Sequence, residues 1–294
     1  FIVGINDIRY YDVKSPTTSF IYHNAYNGGA ALQTTYTQNV GKNFNFAVEY
    51  MGLRSLGFYQ NSLASSNNVI FSGHYFSRNK KYEAYAHYIH QNINNQENGG
   101  ISDVDLFLNG NTNFDNRLNL PVNLTASDSR FAYRRYYFSH QFRPFASEKF
   151  PFKIRHTIFH QGNKYYYTQN SVEPYYFDNP SELIDYPSSS KKYSENLSNT
   201  VSVLFDKENF KLDGGVRHQL IKLGIGDALP NSLNIPQELS ENRIGAVGNL
   251  QIKLWNQKSM QTSKFPVAKH SEATFVPRIY SNSNPLKIIL SMQK

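Results

Sequence analysis

The chain has 294 residues, enough for one large all-β domain or two ordinary ones, and with no cysteine it offers neither a disulfide framework nor a thiolate metal site. Mean hydropathy is −0.56 and no apolar run reaches about 18 residues, which excludes a transmembrane helix but not a membrane barrel, where only every second residue meets lipid. Of the net charge of +8, five units sit in residues 256–294, where Lys258, Lys264, Lys269, Arg278, Lys287 and Lys294 oppose Glu272 alone, so the basic balance marks the tail and no nucleic-acid-binding face.

The chain opens at Phe1 without an initiator Met or a charged-then-apolar leader, so it reads as a mature or truncated N-terminus. Strands are expected over 5–13, 17–25 and 30–38, followed by a tight turn at Val40-Gly41-Lys42-Asn43. Phe44, Phe46, Val48 and Tyr50 then alternate with Asn45, Ala47 and Glu49. A long loop over 53–65 precedes a strand over 66–76 and a turn at Arg78-Asn79-Lys80. Tyr82, Ala84, Ala86 and Tyr88 alternate with Glu83, Tyr85 and His87. The polar, glycine-ended stretch Asn92–Gly100 begins a long loop over 92–116. Leu118, Leu120, Val122 and Leu124 alternate with Arg117, Asn119 and Asn123, which predicts a further strand.

Strands over 130–142 and 152–169 come next, then a long segment over 178–194. Leu197, Val201, Val203 and Phe205 share one parity, a tight turn falls at Asp206–Asn209, and Phe210, Leu212, Val216, His218 and Leu220 oppose Lys211, Asp213, Arg217 and Gln219. After a long segment over 224–241, Ile244, Ala246, Leu250, Ile252 and Leu254 oppose Arg243, Asn249, Gln251 and Lys253. The alternation stops after Trp255, and Pro266, Pro277 and Pro285 each remove a ladder donor from the tail.

Period-two runs of about 8–13 residues approach the 9–11 that a tilted strand needs to cross a bilayer, while ordinary soluble strands cluster near 5–6. Short turns alternating with long loops in the first half, and abundant Tyr (22) and Phe (21) among small polar residues, point the same way. The expectation is an all-β, antiparallel transmembrane β-barrel of about eleven or twelve strands over 1–255. An open edge in lipid leaves backbone groups unpaired, so the irregular basic tail at 256–294 marks an incomplete barrel: a partial chain with an out-of-frame or otherwise non-native end.

Five stretches resemble one family: NDIRYYDVKSPTTSFIY at 6–22, YMGLRSLGFYQNSLASSNN at 50–68, NQENGGISD at 95–103, RFAYRRYYFSHQF at 130–142 and IRHTIFHQGNKYYYTQ at 154–169. In this order they are similar to the "putative porin" family of Bacteroidota, over about residues 1–255. The resemblance implies an outer-membrane β-barrel with members longer than this chain, and it offers no catalytic residues to carry over.

Catalysis and cofactors find no support in the residues. There is no Gly-x-Ser-x-Gly elbow or phosphate-binding glycine loop, so no enzyme and no cofactor is expected. Among the nine histidines, His87 and His90 point to opposite faces of a strand, and His156 and His160 lie about 13 Å apart at 3.3 Å per residue, too far to share an ion; no metal site is expected. Asp103, Asp105 and Asp115 show no twelve-residue calcium-loop pattern. Adjacent Arg134 and Arg135 must face opposite sides, one polar and one at an interface or bend.

The functional expectation is a pore in the bacterial outer membrane, with lipid and small polar solutes as its partners. Glu49, Glu83, Lys211, Asp213, Arg217, Arg243 and Lys253 are the expected lumen residues, four basic and three acidic, hence without strong ion selectivity. Tyr136, Tyr137, Tyr165, Tyr166 and Tyr167 are expected in an aromatic girdle at the membrane edge. The alternatives are a docking or structural barrel in an outer-membrane assembly, and a secreted β-sandwich that binds carbohydrate.

Overall fold

The computed structural model describes residues 2–25, 28–109, 112–145, 151–169, 189–207, 210–226, 237–252, 260–261, 274–282 and 284–293, with side chains followed to Leu250. Ten long strands form the fold: β1 (Thr17–Ala25), β2 (Gly29–Val40), β3 (Phe44–Ser55), β4 (Ala64–Phe76), β5 (Tyr82–Glu97), β6 (Ser127–Phe142), β7 (Phe152–Gln169), β8 (Ser189–Lys207), β9 (Phe210–Gly226) and β10 (Gln237–Ile252). With the two-residue β11 (Met260–Gln261) they make one sheet in strict chain order, β1 to β11, every pair antiparallel. The sheet is not closed between β1 and β11 among the described residues. Sequential pairing follows from the connections: Gly41 at φ +68° supplies the left-handed position in the turn between β2 and β3, which a side chain rarely adopts.

The connections fall into two classes. Segments 41–43, 77–81, 143–151 and 208–209 join strands at one end, the turn end. Segments 26–28, 56–63, 98–126, 170–188 and 227–236 join them at the other, the loop end. The longest described loop, 98–126, carries helix α1 (Val104–Leu108), capped by Asp103, whose Oδ1 accepts from the amides of Asp105 (3.0 Å) and Leu106 (3.3 Å).

The alternation at 117–124 is not a strand. Pro121 interrupts it, only Val122 bridges to Ile101, and Leu120, Val122 and Leu124 are buried within the loop rather than along a sheet face. Residues 5–13 are also not a strand. They form a 3-10 turn at Ile5–Asp7 and an irregular segment held by side chains. Conversely, residues 92–97 belong to β5, 189–194 to β8 and 237–241 to β10, where loops are expected. In the tail, β12 (Thr274–Asn282) and β13 (Asn284–Gln293) pair as a separate two-stranded antiparallel sheet, where the prolines predict none. Both strands of such a ribbon are edges, which can place a proline with its missing donor outward. Pro266 lies outside the described residues.

Strands β1 to β11 make one continuous sheet, and the burial pattern gives its faces opposite characters. The inward face, on which the N-terminal segment lies, carries buried Thr37, Asn45, Glu49, Asn68, Ser72, His87, Gln91 and Arg135. The outward face leaves Tyr36, Phe44, Phe71, Tyr136, Phe138, Ile154, Val201, Val203, Leu212, Val216 and Ile244 uncovered by protein. On β8 the outward apolar positions run from Leu197 to Phe205, eight residues or about 26 Å along the strand, near the ~25 Å apolar band of a transmembrane barrel. Polar groups within this band bond one another across strands: His140 Nε2 lies 3.0 Å from His156 Nδ1, His156 Nε2 2.8 Å from Asn199 Oδ1, and His218 Nε2 2.7 Å from Asn242 Oδ1.

Candidate functional site: the inward face and the N-terminal segment

The N-terminal segment crosses the strands rather than adding to them. Val3 and Ile8 pack with Ile70, Ile89 and Tyr133 in a small apolar cluster on the inward face. Arg135, 1 % exposed, fastens the segment from β6. Its guanidinium donates to the backbone oxygens of Val3 (3.3 Å) and Gly4 (2.9 Å), to Tyr133 Oη (2.7 Å) and to His87 Nε2 (2.9 Å). Because Nε2 accepts, the network assigns the imidazole proton to Nδ1, which lies 2.8 Å from Tyr10 Oη. Burial pushes the Tyr10 phenol above its ordinary range, so it stays protonated.

Three further contacts carry the segment toward β2. Ser72 Oγ donates to the Arg9 carbonyl at 3.0 Å, the Arg9 guanidinium sits 3.7 Å from the buried Glu49 carboxylate, and Asn39 Nδ2 donates to Asp12 Oδ1 at 2.8 Å. The segment therefore spans five strands, from β6 to β2, as a strap across the inward face.

Between the strap and strands β5–β10 lies a cavity of about 490 Å³. Ile8 and Tyr10 form its strap side, Tyr137 and Phe159 an aromatic wall, and Arg155, Asp213 and Arg217 its charged wall. Arg155 sits 3.4 Å from Asp213 Oδ2 and donates to Gln141 Oε1 at 3.2 Å; Gln141 in turn donates to Glu83. Arg217 donates to Thr200 Oγ1 at 3.2 Å, with no carboxylate within salt-bridge distance among the described residues.

The register places Glu49, Glu83, Lys211, Asp213, Arg217 and Arg243 on this one inward face. They do not converge on one point. Glu49 is covered by the strap, Lys211 pairs with Asp206 at 3.1 Å near the turn end, and Arg243 pairs with Glu241 at 2.5 Å. Glu83, Asp213 and Arg217 belong to the neighbourhood of the cavity. Lys253 lies outside the described residues.

The tyrosines divide between faces, as consecutive strand residues must. Tyr136 points outward beside Tyr88, ring centroids 4.9 Å apart, at the loop-end edge of the apolar band, and Tyr166 shares that face. Tyr137 does not belong to an outward girdle: it is on the inward face, stacked on His87 at 4.5 Å. Tyr165 and Tyr167 share the inward parity of Tyr137 and are likewise not on the lipid-facing side. Tyr88, and Tyr75 with Tyr82 at the turn end, ring centroids 6.3 Å apart, also share the outward face.

Histidines pair across strands rather than along them: His140 and His156 are register partners on β6 and β7. Among the described residues no three His, Asp or Glu side chains gather as metal ligands.

Solved structures similar to this chain include two import-receptor forms and a transporter. The open form of the ferric-catecholate import receptor Fiu from E. coli K12 shares 11 % identity at a TM-score of 0.45, covering 82 % of this chain and 52 % of that one. Its closed form gives 10 %, 0.42, 83 % and 48 %, and the unliganded ferric citrate transporter FecA gives 11 %, 0.40, 81 % and 42 %. This chain thus spans about half the length of the solved chains it resembles. No curated protein matches it. An apolar outward face, a polar inward face and long strands in meander order are the attributes of a porin wall, and the family model described as "Putative porin" matches residues 1–275: the chain belongs to that family.

Proposed function

We propose that this protein forms a pore for passive diffusion of small polar solutes across the bacterial outer membrane. The observation that carries the proposal is the separation of faces by strand register: polar and charged side chains on the side of the strap and cavity, uncovered apolar and aromatic side chains on the other. A membrane location requires both sheet edges to be paired; among the described residues the sheet order ends at β1 and at β11. The strap narrows the passage, and the cavity beside it is the route left for solute. Arg155 with Asp213 and Arg9 with Glu49 largely cancel one another's charge, which fits weak ion selectivity. The test is single-channel conductance of the refolded full-length protein in planar bilayers. Ohmic channels with weak selectivity are expected; protein that inserts but carries no current defeats the diffusion pore.

A second reading, a docking barrel in an outer-membrane assembly, draws on one observation. Loop 98–126 is folded and pinned to the sheet, with Asn61 Nδ2 donating to the Glu97 and Leu124 carbonyls, yet α1 leaves Val104, Phe107 and Leu108 uncovered. Cross-linking through α1 in intact cells, yielding one discrete partner, would favour it.

A further inference from the structure

The register orders the outward face into rows, and the rows above the apolar band on the loop-end side change character. At the upper edge of the band the row reads Phe71, Tyr88, Tyr136, His160, Leu197 and Leu220. Two residues further toward the loops, Arg134 lies in line with Glu195 and Lys222, through Gly162. The next row places Lys164 beside Tyr193, and the one above places Arg130 and Lys191 on either side of Tyr166. Five cations thus occupy four neighbouring strands within four residues of one another in height, directly above the aromatic edge.

Their partners leave charge in excess. Arg134 donates to His90 Nδ1 (3.2 Å) and Arg130 to Asn92 Oδ1 (3.3 Å), both neutral acceptors. Lys191 sits 5.5 Å over the Tyr193 ring. Only Lys222 has a carboxylate within salt-bridge range among the described residues, Glu238 at 3.3 Å, itself also bonded by Tyr193 Oη at 2.6 Å. Lys164, Lys191 and Lys222 surround an open hollow of about 310 Å³, with Tyr193, Glu195 and Glu238 completing its walls.

We infer that this rim is a binding site for the phosphates of a lipid headgroup, seated between the cations while the acyl chains run down the apolar band. The inference rests on the outer-membrane reading proposed above. Position selects the ligand: the cations are on the lipid-facing side of the strands, at the height where headgroups meet hydrocarbon. Long basic side chains there extend to phosphate while their methylene stems cover apolar surface. Each basic residue near an anionic membrane surface contributes about 1 kcal/mol, roughly fivefold in affinity.

The experiment uses the full chain refolded into detergent, with barrel formation followed by heat-modifiable migration on a gel and lipid retention by native mass spectrometry. The probes are diphosphorylated lipid A, its dephosphorylated form and inorganic phosphate as competitor. Retention of the phosphorylated lipid is expected, at least tenfold above the dephosphorylated one, with no displacement by millimolar phosphate. The triple variant Lys164→Gln/Lys191→Gln/Lys222→Gln should lose tenfold or more, as should Arg130→Gln/Arg134→Gln. The charge-matched variant Lys42→Gln/Arg78→Gln/Lys80→Gln in the turns should retain wild-type binding. Equal retention of both lipids, or unchanged retention in both rim variants with a normal heat shift, overturns the site. Displacement by free phosphate reassigns it to a soluble anion and overturns the lipid. A wild-type chain without any heat shift overturns the membrane reading itself and this proposal with it.

Discussion

At the residue scale, Arg135 decides how the inward face is used. A buried guanidinium that satisfies two backbone carbonyls, a phenol and an imidazole ties together three segments distant in sequence. Replacing it removes the donors but leaves the buried acceptors behind. Arg135→Ala is expected to cost about 3 kcal/mol, from orphaned polar groups and the hole left in the wall. The strap should then become a protease target and the single-channel conductance should rise; denaturant unfolding, limited proteolysis and bilayer recording read the three effects. Arg217 tests selectivity separately, since it donates to the neutral Thr200 hydroxyl and has no carboxylate within salt-bridge distance among the described residues. Arg217→Glu should move the reversal potential in a salt gradient toward cation preference and change stability by no more than about 1 kcal/mol, as for other half-exposed sites.

Sequence reading at this scale is limited by what contacts what. That Arg134 and Arg135 face opposite sides is legible from parity, and the structure places Arg134 outward on His90 and Arg135 inward. That Arg135 holds Val3 and Gly4 is not legible, because 131 or more residues separate the partners and no local pattern encodes the contact. The amphipathic flanking strands suggest one girdle for Tyr136 and Tyr137, yet alternation puts these neighbours on opposite faces.

At the element scale, strands were readable where one face is apolar and unreadable beyond it. β1 and β7 fall at the expected boundaries, 17–25 and 152–169. The expected loop at 92–116 takes in the last six residues of β5 because 92–97 is polar apart from Ile93. Above the apolar band polar side chains occupy both faces of a strand, so alternation fades while the ladder continues; the same holds for 189–194 in β8 and 237–241 in β10. The false strand at 117–124 shows the converse, alternation produced by a loop that buries Leu120, Val122 and Leu124 on its own account. The band itself makes a graded prediction. Val216, 58 % uncovered by protein at mid-band, should cost about 2–4 kcal/mol when changed to Arg in a bilayer. Ser240→Arg, in line with Lys222 above the band, should cost about 0–1 kcal/mol. Guanidinium unfolding from vesicles measures both, and equal costs would mean that the band is not in hydrocarbon.

At the scale of the whole molecule, the all-β antiparallel class and, in the first half, the alternation of short turns with long loops were legible because each depends on local periodicity and on Gly- and Asn-rich punctuation. The strap and its cavity were not, because they arise only when distant strands become neighbours. In a transmembrane wall, alternate side chains of one strand meet hydrocarbon and water. The chain has no cysteine, so single substitutions can be placed along β8 without background: Leu197, Val201 and Val203 on one parity, Asn196 and Thr200, both partly exposed, on the other. In lipid vesicles, a water-soluble maleimide should label the second set and spare the first, and a bilayer-soluble quencher should reach fluorophores on the first set only. Uniform labelling along β8, or the same alternating protection in buffer without lipid or detergent, would contradict the account.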